Sequence, residues 1–248
     1  MPELPQVAAL VAGGLAAGFV NTLAGGGSFL TVPLLILVGL PPTIANATNR
    51  VAVLVQNLAA MGGFRQEGVP GAALALRLMP AMLLGSWLGA WGVIQVPDEV
   101  FRRFFGILML LALPLLLRSP RPRERPRARG LPLPLQIATY FAIGLYGGAV
   151  QAGLGIPLLL ALVGVGGLGL VAANSVKVVL IAALTAVALA QFAWAGKVLW
   201  LHGGILALGA GIGGYLASRV GARLGPPLIR PVLIVAVVAM ALRLLWVR

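Results

Sequence analysis

Two long stretches of the sequence contain no Lys, Arg, Asp or Glu, and this constrains the fold more than any other feature. They cover residues 4–49 and 130–176. A membrane-spanning helix needs about 20 predominantly apolar residues, so each stretch is long enough for two crossings, or for one crossing and a broken return. Apolar residues make up 60% of the chain and charged residues 9%, and few segments alternate polar with apolar residues. The sequence therefore predicts an all-α, polytopic integral membrane protein.

The formal net charge of +13 would favour nucleic acid binding in a soluble protein. Here most of the excess is Arg at the ends of apolar runs and in one linker, the pattern that marks cytoplasmic loops. We therefore predict a lipid bilayer as the surrounding medium and no nucleic acid partner. The chain has no cysteine, which excludes disulfides and thiolate metal sites, and we predict no metal and no cofactor.

A segment rich in Arg and Pro, RSPRPRERPRARG at residues 118–130, divides the chain. Its charges keep it out of lipid and its prolines prevent a regular helix. We predict a first membrane repeat at residues 1–117, a cytoplasmic linker at 118–132 and a second membrane repeat at 133–248. The positive-inside rule places this linker in the cytoplasm, and we predict a multi-pass protein of the plasma membrane of a prokaryote.

The two sides of the linker resemble each other. GLYGGAVQAGLGIPLLLALVG, from Gly144, aligns with the glycine-rich continuation of Gly18, and ANSVK (173–177) aligns with NATNR (46–50). FAWAGKVLW, from Phe192, aligns with FRQEGVPG, from Phe64. Since these matches lie 126 to 128 residues apart, nearly the whole chain consists of two copies of one unit.

In the first half we predict helices at residues 5–24, 29–40, 43–64, 70–96 and 100–117, with a break at 25–28. The second segment is too short to cross about 30 Å of hydrocarbon at 1.5 Å per residue unless it is extended or re-entrant. Each half would thus have a glycine-broken or re-entrant first hairpin and about three spanning helices, for about eight to ten crossings in total.

Loop charges favour inverted repeats. The last loop of the first half is balanced, whereas its counterpart in the second half is purely basic; the two sets are Asp98, Glu99, Arg102 and Arg103, and Arg219, Arg223 and Arg230. Halves inverted in the membrane would place the first loop outside and the second inside, on the side of the linker.

The duplicated glycine-rich openings, the clusters NATNR and ANSVK, and the FAWAGKVLW segment resemble the sulfite exporter TauE/SafE family, the sulfonate-uptake permease group. The resemblance covers nearly all of both halves, without the linker. It implies a transporter of small sulfur-containing anions such as sulfite, sulfoacetate or related organosulfonates. It does not identify the substrate, because many members have none assigned.

Arg50 and Lys177 are the strongest candidate site residues. Each ends a long uncharged stretch, and the sequence alignment places them at equivalent positions of the two copies. A cation inside a membrane segment is retained mainly where it faces a cavity or a partner, and no acidic residue lies near either in sequence. An anionic ligand would supply the missing partner. The alternative is that both side chains extend along the helix to reach lipid headgroups.

Broken helix ends could add backbone N–H groups and a positive dipole end, and amides and hydroxyls could bind oxyanion oxygens. Interhelical hydrogen bonds are the alternative role for each of these polar side chains, and we assign Gln56, Asn57 and Gln191 to that role. The candidate residues besides the two cations are Asn21, Thr22, Gly25, Gly26, Gly27, Ser28, Asn46, Thr48, Asn49, Gln151, Gly153, Gly155, Asn174 and Ser175.

The acidic residues all fall at predicted helix ends or loops, and His202 is the only histidine. Proton-driven transporters commonly carry a carboxylate or His relay within the membrane, so we predict export driven by membrane potential and concentration gradient. An anion channel, a membrane scaffold and an intramembrane serine hydrolase using Ser28 are the other readings, and we predict that the chain is not an enzyme. Faces of Ala, Gly and Leu are compatible with a homodimer.

Overall fold

The structure, a computed structural model, describes residues 2–69, 72–117, 132–220 and 238. In these ranges every regular element is helical, which confirms the predicted helical class. Most of the predicted linker and the end of the second repeat lie outside the described residues. The helices are α1 (Leu4–Ala24), α2 (Ser28–Leu37), α3 (Pro42–Gln66), α4 (Ala72–Ile94), α5 (Asp98–Leu117), α6 (Leu133–Ala149), α7 (Gly155–Leu159), which continues as a π-helical segment (Leu160–Val165), α8 (Leu170–Trp194) and α9 (Trp200–Val220).

Local sequence explains where the first helices begin and end. Proline stands in the first turn of α1 and of α3, where its missing N–H is not needed and its φ suits a helix. The α1 helix ends at Gly25, which has a φ of +83° and donates its N–H to the carbonyl of Asn21. Glycine adopts this left-handed conformation without steric cost. The break that we predict at residues 25–28 is therefore present, followed by the short helix α2.

The second half is interrupted at the corresponding point. The α6 helix ends at Ala149 and α7 begins at Gly155. Between them Gln151 has a φ of +64° and Gly153 a φ of +71°. A positive φ is uncommon outside glycine, and Gln151 is the one non-glycine residue among those described that adopts it. Both halves thus open with a helix, a break and a short helix.

Four helices of the described residues are long and apolar enough to cross a membrane: Leu4–Ala24, Ala73–Ile94, Leu170–Trp194 and Trp200–Arg219. The surface of the protein is apolar where these helices face outward. Leu76 on α4 is 64% exposed and Leu208 on α9 is 65% exposed. Such a surface is stable against lipid tails. The larger number of crossings that we predict remains a prediction.

The long helices pack across the two halves. The α1 helix lies along α9, and α6 lies along α4, while α3 and α8 contact each other and these two pairs at the centre. A Cβ on Gly18 would lie under 3.0 Å from the backbone of Ala210, and a Cβ on Gly144 under 3.0 Å from the backbone of Met82. Small residues at these points allow the backbones to approach closely.

The register of these two contacts is the same. A Cβ on Gly213 would meet the carbonyl of Leu15, and a Cβ on Gly85 would meet the carbonyl of Phe141. Residues of α1 and α6 that make the same contact lie 126 positions apart, and those of α4 and α9 lie 128 apart. One helix contact is therefore made twice, with the two halves exchanged.

The two breaks touch each other at the centre of the protein. A Cβ on Gly25 would lie under 3.0 Å from the Cα of Gly155, and a Cβ on Gly155 would lie under 3.0 Å from the Cα of Gly25. The Phe29 ring lies against Gly153 in the same region. Glycine at both positions lets the backbone of one break rest directly on that of the other.

We expect Gly25→Ala to destabilise the protein strongly. The left-handed backbone alone costs a residue with a Cβ about 1–2 kcal/mol, and the collision with Gly155 adds to this cost. A melting curve of the detergent-purified protein measures the loss.

The matched control is Gly62→Ala, because Gly62 is an exposed helical residue of α3 with nothing within 4 Å of its Cβ position. Alanine there should leave the melting temperature unchanged or raise it slightly, because alanine stabilises a helix interior by about 0.5–1 kcal/mol relative to glycine. Equal melting temperatures for the two variants would contradict the contact between the breaks.

Candidate functional site

The helices that carry the two cations, α3 and α8, are both 25 residues long and begin 128 residues apart. In this register Arg50 corresponds to Val178, and Lys177 corresponds to Asn49. Their surroundings agree: the Arg50 guanidinium lies 4.7 Å from the centre of the Phe192 ring, while Val178 packs in a cluster with Phe64. The sequence alignment that pairs Arg50 with Lys177 is therefore displaced by one residue.

Arg50 caps the end of a broken helix from the other half. Its Nη1 donates to the carbonyl of Gly147 at 3.0 Å and its Nη2 to the carbonyl of Gly148 at 2.5 Å. Both glycines lie in the last turn of α6. The last carbonyls of a helix lack partners inside the helix and form the negative end of its dipole, so a buried guanidinium is favourable there.

Lys177 makes the reciprocal contact. Its Nζ donates to the carbonyls of Asn21 at 3.1 Å and Thr22 at 2.7 Å, in the last turn of α1, and to Asn174 Oδ1 at 2.7 Å. The two carbonyl pairs lie 126 residues apart, which is the register of α1 and α6. Although the two cations occupy different positions on their helices, their head groups reach equivalent backbone groups.

Both cationic side chains are completely buried, with 0% of their surface exposed. Their head groups thus lie inside the protein and do not extend to the lipid headgroups, as the alternative from the sequence supposes. The hydrogen bonds described for them go to carbonyls and one amide, and none goes to a carboxylate. Uncharged dipoles hold both cations, so the centre of the protein carries positive charge.

A network of polar side chains lies beside α1 in the first half. Asn21 Nδ2 donates to Gln56 Oε1 at 2.9 Å, and Gln56 Nε2 donates to Thr22 Oγ1 at 3.2 Å. Thr31 Oγ1 donates to Asn49 Oδ1 at 2.5 Å. All five residues are buried. This network joins the end of α1, the short helix α2 and the centre of α3.

The network surrounds a small cavity. Its polar lining consists of Asn21, Ser28, Thr31, Asn49 and Gln56. The volume in which the centre of a water molecule can lie is about 10 Å³, which is enough for roughly one water. Ser28 is the first residue of α2, so the positive end of that helix dipole lies at the cavity wall. Every residue of the cavity lining is buried.

Several buried polar atoms near the breaks have no hydrogen-bond partner. They are Asn46 Oδ1, Asn49 Nδ2, Arg50 Nε and Gln151 Oε1. Buried polar groups are nearly always paired, and an unpaired one costs about 1–3 kcal/mol. Two of these atoms, on Asn49 and Arg50, are donors. Asn49 lines the polar cavity, so its unpaired donor is suited to a hydrogen-bond acceptor there.

The remaining predicted residues hold helices together. Asn46 Nδ2 donates to the Ala149 carbonyl at 2.9 Å, and Ser175 Oγ to the Val69 carbonyl at 2.7 Å. Thr48 Oγ1 accepts from the Leu199 N–H at 3.1 Å. The Gln151 amide donates to the Thr185 hydroxyl. The carbonyl of Gly26 accepts the Phe29 N–H at 3.1 Å.

Three residues that contact predicted site residues, Thr31, Thr185 and Phe192, are absent from the prediction, and Gln56 is predicted only to hold helices together. Gln56 is nonetheless a lining residue of the cavity. A signal exists for Gln56 and Thr31: each is polar within an apolar run, although the choice of partner depends on residues 18 to 35 positions away.

Comparisons with known proteins agree with this architecture. The sequence profile of the family described as sulfite exporter TauE/SafE matches residues 10–244. The chain belongs to this family. It is 28% identical to a probable membrane transporter protein ORF9 of Sinorhizobium sp, over 92% of this chain and 88% of that protein. No solved structure matches the chain.

Two further relatives of this TauE/SafE chain are described as probable membrane transporters. YfcA of Escherichia coli (strain K12) is 29% identical over 93% of the chain and 86% of its own length. A protein of Haemophilus influenzae is 25% identical over 94% of the chain and 92% of its own length. The protein is a membrane transporter of this family, as the resemblance implies.

We expect Arg50→Met to lower the thermal stability of the protein. It leaves the two carbonyls of Gly147 and Gly148 buried without donors, and hydrogen bonds to a charged group each contribute about 1.5–3 kcal/mol. Arg65→Met is the control, because Arg65 is an exposed residue of the same helix and surface changes stay within about 0.5 kcal/mol. Melting curves in detergent compare the two, and a small loss for both would contradict the capping role.

Proposed function

We propose that this chain exports small sulfur-containing anions, such as sulfite or an organosulfonate, across the cytoplasmic membrane of a prokaryote. The observation that supports it best is the pair of buried cations, Arg50 and Lys177, next to a polar cavity beside the first break. Arg50 follows the lining residue Asn49, and Lys177 binds the carbonyl of the lining residue Asn21. A charge in a membrane protein usually marks a substrate pathway. The carbonyl dipoles do not neutralise the two cations, and an anion at the centre would compensate their positive charge.

The chemistry of the region suits an oxyanion. The unpaired donor on Asn49 and the hydroxyl of Ser28 both line the cavity, and each could bind one of the oxygens of the anion. Gly25 and Gly27 carry no side chain, so an anion could approach their backbone directly. Of the predicted half-two residues, Gly155 touches Gly25 and Asn174 accepts a hydrogen bond from the Lys177 ammonium.

The exchanged helix contacts support inverted repeats as part of this proposal. A two-fold axis in the membrane plane would relate α1 on α9 to α6 on α4 and would place Arg50 and Lys177 on opposite sides of the centre. It would also put the basic loop of the second half and the linker on the cytoplasmic side.

The small size of the cavity and its buried lining support a carrier over an open channel. A pore requires a continuous path, whereas a carrier encloses its substrate and opens to one side at a time. The breaks at Gly25 and Gly155 are the natural points of bending, because backbone contacts there involve no side chains. Counterflow in vesicles distinguishes the two: labelled sulfite that accumulates against unlabelled sulfite indicates a carrier, and its absence indicates a channel.

We expect transport in proteoliposomes to follow the membrane potential. An anion leaving a negative-inside compartment gains about 2.3 kcal/mol per charge per 100 mV, and the membrane segments described contain no carboxylate at the cavity. Radiolabelled sulfite efflux should increase when a potassium diffusion potential makes the interior negative. A pH gradient at zero potential should have no effect, and flux that follows the pH gradient would contradict this mechanism.

A further inference from the structure

We propose that only the first half of the protein binds the anion, in the cavity beside α1, and that Thr31 and Gln56 position the groups that contact it. The corresponding place in the second half is filled by leucine side chains, so the protein binds one anion per chain. This inference rests on the proposed function, and it goes beyond it by assigning the site to one half and naming two positioning residues.

The first argument is the free donor in the cavity wall. Asn49 is 1% exposed, lines the cavity and has no partner for its Nδ2. Thr31, 3% exposed, donates its hydroxyl to the Oδ1 of the same amide. Because Thr31 occupies the oxygen of the amide, the nitrogen is left to donate to a ligand. Thr31 therefore orients Asn49 as a hydrogen-bond donor.

Gln56 holds Asn21, the other asparagine of the cavity wall, through the nitrogen of its amide and not through its oxygen. Its Oε1 accepts from Asn21 Nδ2 and its Nε2 donates to the hydroxyl of Thr22. Both ends of the Gln56 amide are thus bound to the last turn of α1, whose carbonyls bind Lys177. Gln56 keeps the end of α1, the cavity wall and the buried ammonium in one arrangement.

The cavity is polar and uncharged. No Asp, Glu, Lys or Arg side chain is part of its lining. An anion there would be held by amides, hydroxyls and the N-terminal end of α2, with the nearby cations contributing attraction through the protein. This favours a compact oxyanion, and the cavity must widen beyond its room for about one water to admit it. An aminosulfonate such as taurine carries an ammonium group that would meet no carboxylate in the lining.

The second argument compares the halves position by position. In the registers of the helix contacts, α1 and α6 correspond at 126 residues, and α3 and α8 as well as α4 and α9 at 128. Five lining residues have larger apolar counterparts: Ala17, Ala52, Val53, Gln56 and Ala210 correspond to Ile143, Leu180, Ile181, Leu184 and Met82. All five counterparts belong to one buried core cluster.

The counterpart of Asn21 shows which side chains fill this space in the second half. It is Gly147, and a Cβ there would lie 2.7 Å from Leu154 Cδ2 and 3.1 Å from Leu184 Cδ1. Leucine side chains thus fill the volume that the cavity and the Asn21 side chain occupy in the first half. The first half thus has a polar cavity, whereas the second half has packed leucine side chains around Lys177, the counterpart of Asn49.

Matched threonine variants test this inference. Thr31→Val and Thr185→Val each remove a buried hydroxyl that is paired with one side-chain amide, on Asn49 in the first half and on Gln151 in the second. Binding to purified protein is measured by equilibrium dialysis with radiolabelled sulfite, thiosulfate, sulfate, sulfoacetate and taurine. The anion that binds wild type most tightly is then used for all variants.

We expect one anion per chain, and a Kd at least about tenfold weaker for Thr31→Val, the effect of losing one hydrogen bond. Thr185→Val should retain the wild-type Kd, and Thr31→Ser, which keeps the hydroxyl, should restore binding. Gln56→Leu, which introduces the residue of the second half, should also weaken binding. Each variant is first shown to elute as a single species with a cooperative melting curve.

Two outcomes would overturn this inference without contradicting the proposed function. Wild-type binding of two anions per chain, or equal losses for Thr31→Val and Thr185→Val, would show that both halves contribute while leaving anion transport intact. A wild-type protein that binds and transports none of the five anions would instead overturn the proposed function, and the assignment of the site with it.

Discussion

The structure depends on how the carbonyls of two interrupted helices are satisfied away from water. A helix that ends inside a membrane protein leaves its last carbonyls without partners, and no solvent is available to replace them. Here Lys177 serves the end of α1 and Arg50 serves the end of α6. Each cation comes from the opposite half, so the halves stabilise each other's breaks.

This arrangement couples folding to function. The same cations that make the breaks tolerable bring positive charge to the centre of the protein, and the breaks bring the N-terminal end of α2 to the cavity. Small residues complete the assembly, since the contacts of Gly18 with Ala210 and of Gly144 with Met82 let the long helices approach. A side chain at either glycine would separate the helices that hold the cations in place.

Duplication produced two similar units whose interiors differ. The outer contacts, α1 on α9 and α6 on α4, repeat in the same register, because both are backbone contacts at glycine. The interiors diverged at positions such as Gln56 and Leu184, where a single change replaces a hydrogen-bonding amide with a packed leucine. The two units therefore share one fold but differ in the polarity of their interiors.

The membrane class, the family, the first-half helices to within a few residues and the break at Gly25 were all predictable from the sequence. These follow from hydropathy, from motifs and from the φ preference of glycine, which act over short distances along the chain. The sequence also marked Arg50 and Lys177 as unusual, since buried charge is costly wherever it occurs. Their partners are carbonyls 97 to 156 residues away. These partners are known only from the tertiary structure, because no local rule selects a distant helix end. The one-residue register between α3 and α8, and the filling of one half by leucine, likewise depend on how whole helices pack, which residue type alone does not specify.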